Sequence, residues 1–162
     1  MAMKQTRRGF ALLIAVIFMS VMLAFGLALG SLAYKQQVLA STAIQSQYAF
    51  YAADAGLECA LYADQQQGLF AYTSDMSAPA PSLVCDGASA ISASVLSHTG
   101  SQWVIFNRLS LDTNKRCVDV TVYKRKNTGT NYLFSQGYDV SCATVAAPNG
   151  AHFVSRGLSA DY

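Results

Sequence analysis

The sequence has 162 residues, a length for one domain or slightly more. Hydrophobic residues make up 52% of the chain and charged residues only 12%, which excludes a disordered chain and a highly charged tail. The net charge of +2 is too small to attract a polyanion by itself.

The N-terminal segment predicts a single membrane-spanning helix with its N-terminus in the cytoplasm. Lys4, Arg7 and Arg8 precede 25 residues, 10–34, that carry no charge. As a helix these residues span roughly 37 Å, which is enough to cross a bilayer with some tilt. Basic residues stay on the cytoplasmic side, so everything after Lys35 is expected outside the cytoplasmic membrane.

Three interpretations of this apolar segment remain open. A cleaved secretory signal would use residues 28–30 as its cleavage box, although the apolar run is longer than the usual length of about 7–15 residues. A permanent signal anchor would keep the segment and carry an external domain. A prepilin leader would be cut between Gly9 and Phe10, so that the whole apolar helix is retained.

Helical periodicity continues beyond the apolar run, over residues 35–64. This stretch contains no proline, and alanine, the strongest helix former, recurs along it. Spacings of three and four residues predict one packing face, made of Ile44, Tyr48, Tyr51, Ala55, Cys59 and Tyr62. We therefore predict one long helix whose second half is amphipathic and packs on a globular domain.

Two motifs resemble the N-terminus of type IV pilins, in particular that of the PilX-type minor pilins. The first is RRGF at residues 7–10, which opens the long apolar helix, and the second is FYAADAG at residues 50–56. The resemblance covers about the first 64 residues. It implies that a prepilin peptidase removes residues 1–9 by cutting between Gly9 and Phe10, and that Phe10 is then N-methylated.

The same resemblance implies a structural function. A minor or tip pilin enters the cytoplasmic membrane and is then assembled into an extracellular pilus, where its outer domain has an adhesive role. Its partners are an inner-membrane assembly platform and other pilin subunits, which it contacts through the N-terminal helix. Major pilins have Glu where this sequence has Ile14, which favours the minor or tip position. The alternatives are a pseudopilin of a type II secretion or DNA-uptake machine, and a membrane-anchored extracytoplasmic binding domain.

The remainder of the chain predicts a loop region followed by a β domain. Prolines and glycines punctuate residues 65–100, where 88–97 fit either a short helix or a strand. Residues 101–162 are predicted as antiparallel strands, with 124–129 as a turn, 131–140 as a partner strand and 151–162 as a further edge strand. The predicted fold class is α+β, with the long helix packed on an antiparallel sheet of about four strands.

All four cysteines lie beyond the membrane segment, in a compartment where disulfides persist. Four cysteines allow three pairings. If a hairpin turn centres near residues 128–129, Cys117 and Cys142 face each other across its strands, which leaves Cys59 for Cys85. Zinc binding is disfavoured because no C-x-x-C pattern occurs.

One basic cluster, Lys124, Arg125 and Lys126, is a candidate contact for DNA or an acidic surface polymer, because phosphate binding requires clustered cations. Tyr123 and Tyr132 are close enough in sequence to add base stacking. The alternative is a solvated turn. No catalytic motif and no metal-ligand spacing occurs, so neither an enzyme nor a cofactor or metal is expected.

Overall fold

The computed structural model describes residues 7–126 and 130–162, with side chains from residue 10 onward. It confirms the α+β class, with a long N-terminal helix and antiparallel sheets. The elements in chain order are α1 (Arg7–Gln65), β1 (Val84–Cys85), β2 (Ala88–Ser89), β3 (Ser92–His98), β4 (Gln102–Leu111), β5 (Arg116–Arg125), β6 (Tyr132–Tyr138), α2 (Cys142–Ala146) and β7 (Ser155–Asp161).

The strands form two antiparallel sheets. Strands β1 and β2 make a short hairpin, and the other five follow one another in chain order, β3-β4-β5-β6-β7. The main sheet therefore has five strands rather than about four. The additional strand is β3, which lies in the predicted loop region and settles the ambiguity at residues 88–97 in favour of a strand. The last segment forms the edge strand β7.

The chain divides into two compact units, one reaching to Ser41 and the other spanning Thr42–Tyr162. In the first unit every side chain from Phe10 to Ser41 is exposed. The helix there is long and apolar enough to cross a membrane, with a mean hydropathy of 2.8 over 18 residues. A helix that is apolar on all sides requires lipid or protein around it.

In the second unit, α1 packs on the main sheet through its smallest residues. The buried small residues are Ala49, Ala52, Ala53, Gly56, Ala60 and Ala63, and Asp64 is buried as well. The predicted packing face is wrong, because its large members, Ile44, Tyr48, Tyr51 and Tyr62, stay 48–65% exposed. Small side chains allow the helix backbone to approach the sheet. The strands supply most of the large side chains of the core, and the loop after α1 adds Phe70 and Leu83.

Two glycines set the distance between helix and sheet. A Cβ atom at Gly137 of β6 would lie 2.2 Å from the backbone oxygen of Ala49 and 2.3 Å from the backbone nitrogen of Ala53. A Cβ atom at Gly56 would lie 2.6 Å from Cγ2 of Val118. At this crossing no side chain fits between the two backbones, and the FYAADAG motif supplies the helix side of the contact.

The core lies between α1 and the sheet face that it covers. Its largest fully buried side chains are Phe70, Leu83, Ile105, Leu109, Val118, Val120, Val122 and Leu133. Buried polar groups have specific partners: the Ser135 hydroxyl donates to the Ala53 carbonyl at 2.7 Å. The Asn107 amide accepts from the Leu83 N–H at 3.0 Å and donates to the Pro81 carbonyl at 3.2 Å, which fixes the loop after α1.

Two disulfides stabilise the second unit. Cys59–Cys85 joins α1 to β1, and Cys117–Cys142 joins β5 to α2. These are the pairs that the sequence predicts, but the geometry predicted for the second pair is wrong. Cys117 faces Tyr138 in the β5–β6 register, whereas Cys142 lies beyond the end of β6, in α2.

We expect Gly137→Ala to lower the free energy of unfolding by about 3 kcal/mol, because the new methyl group meets backbone atoms that cannot move aside. Gly100→Ala is the matched control, since a Cβ atom there meets nothing within 4 Å. Denaturant unfolding of the full chain in detergent, followed by fluorescence of the buried Trp103, measures both variants. Equal stability of the two variants would contradict the close helix–sheet contact.

Candidate functional site

The predicted cleavage junction lies at the start of α1. The helix already includes Gly9 and Phe10, and the Phe10 side chain is exposed. Ile14, one turn further on, is exposed as well and carries no charge. This end of the helix therefore presents an uninterrupted apolar surface from Phe10 to Met19.

The three predicted polyanion contacts do not share one surface. Strand β5 extends to Arg125, so the predicted turn at 124–129 begins later than expected, and residues 127–129 lie outside the described residues. Consecutive residues of a strand point to opposite faces of the sheet. Lys124 points toward α1, where its Nζ lies 2.5 Å from an oxygen of Asp64, and this ion pair leaves it unsuited to an external polyanion.

Arg125 shares the opposite face of the sheet with two tyrosines. The rings of Tyr123 and Tyr132, which face each other in the register, have centroids 5.4 Å apart. Lys126 lies elsewhere, with its Nζ 5.9 Å from the centre of the Tyr72 ring. Contact with DNA or a surface polymer stays a prediction. Of the three cations, Arg125 is the one that lies on the same face of the sheet as the two tyrosine rings.

Asp64 links the end of α1 to the sheet. Its carboxylate is buried and accepts hydrogen bonds from Lys124 and from the Tyr162 hydroxyl. Burial, together with the hydrogen bond to Asp64, raises the pKa of Tyr162. The second carboxylate oxygen has no hydrogen-bond partner in the described part of the chain. This cluster therefore connects α1 to the sheet and does not present a positive charge to an external ligand.

The sheet face opposite α1 carries a second ion pair. Arg108 donates through Nε and Nη2 to the two carboxylate oxygens of Asp119, each at 2.7 Å. These bonds raise the pKa of Arg108. The Tyr138 hydroxyl donates to Asp119 at 3.2 Å, and burial followed by the negative charge of Asp119 raises the pKa of Tyr138 to about 12. Opposite charges on neighbouring strands were the available sequence signal for this pair, but recognising it requires the register.

A cleft of about 540 Å³ opens on this same face, between the strands and α2. Its lining consists of Ile91, Ser92, Arg108, Ser110, Asn114, Ser141, Cys142, Ala143 and Ala146. The sequence does not predict this cleft, because α2 is only five residues long and leaves no periodic pattern. The cleft is concave, mostly apolar and crossed by a few polar groups, as ligand sites generally are.

No protein-family model, no curated protein and no solved structure matches this chain. Within residues 7–126 and 130–162, no three His, Cys, Asp or Glu side chains come together as a metal-binding group.

We expect Tyr138 to ionise about two pH units above an ordinary tyrosine, whose pKa is 10.0. In the unfolded chain it ionises near its ordinary pKa, so stability that is present below pH 10.0 is lost as the pH rises toward 12. Near-ultraviolet titration of tyrosinate absorbance checks this. Tyr138→Phe should remove one group from the part of the titration near pH 12. Loss of a group that titrates near pH 10.0 instead would contradict the assignment.

Proposed function

We propose that this chain is a minor or tip subunit of a type IV pilus, inserted into the cytoplasmic membrane and then assembled into the extracellular filament. One observation carries the proposal. The uncharged surface of α1 from Phe10 to Tyr34 is uncovered, while the same helix continues into a disulfide-linked α+β unit. This organisation is expected of a filament subunit whose helix is buried among neighbouring subunits and whose sheet faces outward.

The exposed apolar surface can be covered by lipid in the membrane and by neighbouring helices in a filament. Sixteen large apolar side chains between Phe10 and Tyr34 are 46–71% exposed. Burying each one stabilises the chain by roughly 1.5–3 kcal/mol, so water cannot be their normal surroundings. Neighbouring helices of the same composition can replace lipid around them at little cost, which permits transfer from membrane to filament.

The second half of α1 leaves its large residues available to other subunits. The helix packs on its own sheet through alanine and glycine, so Tyr51 and Tyr62 remain exposed. Tyr48 is 48% exposed, although its ring lies 4.3 Å from the Arg116 guanidinium group. An apolar stripe on an otherwise folded unit marks a protein interaction surface. This arrangement supports assembly along the helix, rather than a helix that serves only to hold a separate domain at the membrane.

Ile14 supports the minor or tip position. In major pilins, by the resemblance, a carboxylate at this position meets the terminal amine of a neighbouring subunit. A charge left unpaired in apolar surroundings costs several kcal/mol. Because Ile14 offers no carboxylate, this subunit cannot satisfy the amine of a neighbour, which suits an end of the filament where one side of the contact is absent.

We expect the mature protein to begin at N-methylated Phe10. Cleavage there removes Lys4, Arg7 and Arg8 from the 11 basic residues and leaves 8 against 9 acidic residues, a net charge of −1. Intact-mass measurement of the protein from its native membrane checks the result. Gly9→Val should stay uncut, whereas Gly26→Val should be cut like the parent, because Gly26 lies well inside the helix.

Two outcomes of the mass measurement contradict the proposal. A mature N-terminus near Ser31 would mean a secretory signal, and an uncut parent chain would mean a permanent anchor.

We expect label directed at this protein to mark the ends or rare positions of intact pili. Ile14→Glu should enter the shaft more often, since it restores the carboxylate. Ile17→Glu is the matched control, because it adds the same charge at another position of the helix. Immunogold counts along the filament measure all three proteins. Parent label along the whole shaft, at a level comparable with that of the main subunit, would overturn the tip or minor role.

A further inference from the structure

We propose that the cleft between α2 and the outer face of strands β3 and β4 binds a neutral, N-acetylated saccharide. The proposal is independent of filament assembly, because the cleft lies within the second unit and uses no residue of the membrane segment.

The cleft has the size and form of a ligand site. Its volume of about 540 Å³ falls within the usual range of about 300–1,000 Å³. Ser92 and Arg108, which face each other across β3 and β4, form the floor. Ala143 and Ala146 of α2 form the wall, and Ile91, 59% exposed, adds an apolar rim. A flat floor beside a low wall suits a sugar ring better than a deep pocket would.

The wall of the cleft is fixed in place. The Cys117–Cys142 disulfide ties the start of α2 to β5. Ser141 caps the same helix, and its hydroxyl accepts from the Thr144 N–H at 3.3 Å. A wall held by a covalent bond and a helix cap does not have to be ordered by the ligand, so binding loses little conformational entropy.

The charge balance of the cleft excludes strongly charged ligands. Arg108 lines the cleft, and Asp119 already neutralises it through two hydrogen bonds of 2.7 Å. An anion would approach the Asp119 carboxylate as it approached the guanidinium group, and a cation would meet the guanidinium group itself. A neutral ligand has neither penalty.

The unengaged groups of the cleft are mostly hydrogen-bond donors. Within the described residues, Nη1 of Arg108 and the hydroxyl of Ser92 have no protein partner. Asn114 accepts from the Ser110 hydroxyl at 2.6 Å, which turns its NH₂ group to other partners. These donors match a carbonyl oxygen, and the apolar surface of Ile91 matches a methyl group. An acetamido group supplies both.

The hydroxyl groups of the cleft favour a saccharide over a peptide. Three serines line the cleft. Ser110 already donates to Asn114 and Ser141 is engaged by Thr144, whereas the Ser92 hydroxyl is able to donate or accept. Ring hydroxyls of a sugar have the same dual capacity. A peptide backbone instead presents donors and acceptors in a fixed alternation.

The test uses the full chain in a detergent that contains no sugar, with tri-N-acetylchitotriose as the probe. We expect saturable binding in calorimetry. Cellotriose, which is neutral but lacks acetamido groups, should bind at least tenfold more weakly. The deacetylated, cationic glucosamine trimer should bind more weakly still.

Asn114→Gly removes the amide donor and keeps the left-handed backbone that Asn114 adopts at φ 68°. It should weaken binding about tenfold. Asn149→Gly is the matched control, because Asn149 is also left-handed, at φ 43°, and does not line the cleft. Ala143→Trp fills the cleft from an exposed position of α2 and should abolish binding.

Three results would overturn the proposal. They are the absence of saturable binding to the acetylated trimer, equal binding of cellotriose, and unchanged binding by Ala143→Trp. Thermal unfolding of each variant shows that a loss of binding is not a loss of fold.

Discussion

The contact between the backbones of α1 and β6 determines the arrangement of the second unit. Gly137 brings the sheet against the helix between Ala49 and Ala53, with no side chain between them. Gly137 pairs with Val118 near the start of β5, and Asp64 contacts Lys124 near the end of that strand. The helix therefore runs in the same direction as β5. Most of the large core side chains come from the strands, and Phe70 and Leu83 come from the loop after α1. The opposite face of the sheet remains open for the ion pair and the cleft.

Periodicity predicts that α1 continues past residue 34 but does not identify its buried side. The spacing of Ile44, Tyr48 and Tyr51 is helical, and large residues normally cover a core. Here close approach reverses the rule, because a tyrosine between the helix and Gly137 would hold the backbones apart. The buried side of the helix is the side with the alanines and the glycine of FYAADAG. Identifying it requires knowing that Gly137 of β6 faces this part of the helix, which the sequence alone does not show.

Strands with one buried face could be predicted from the sequence, whereas a strand with no buried face could not. Alternation at Val118 and Val120 marks β5, whereas the edge strand β3 is mostly serine and alanine and has no buried face to leave a pattern. The cysteine pairs were predicted from a hairpin geometry that the structure does not have, because Cys142 lies in α2, beyond the end of β6. The Arg108–Asp119 pair depends on the register between β4 and β5, and the cleft depends on a five-residue helix, so sequence alone could not place them.

The parallel course of α1 and β5 has a mechanical consequence. A load applied along the helix axis acts in shear across the helix–sheet contact, so the contacts from Gly137 to Asp64 resist it together instead of opening one after another. The Cys59–Cys85 bond then limits how far the helix can slide, because it ties the last turns of α1 to β1. Tension would thus be carried by the helix–sheet contact and one covalent crosslink.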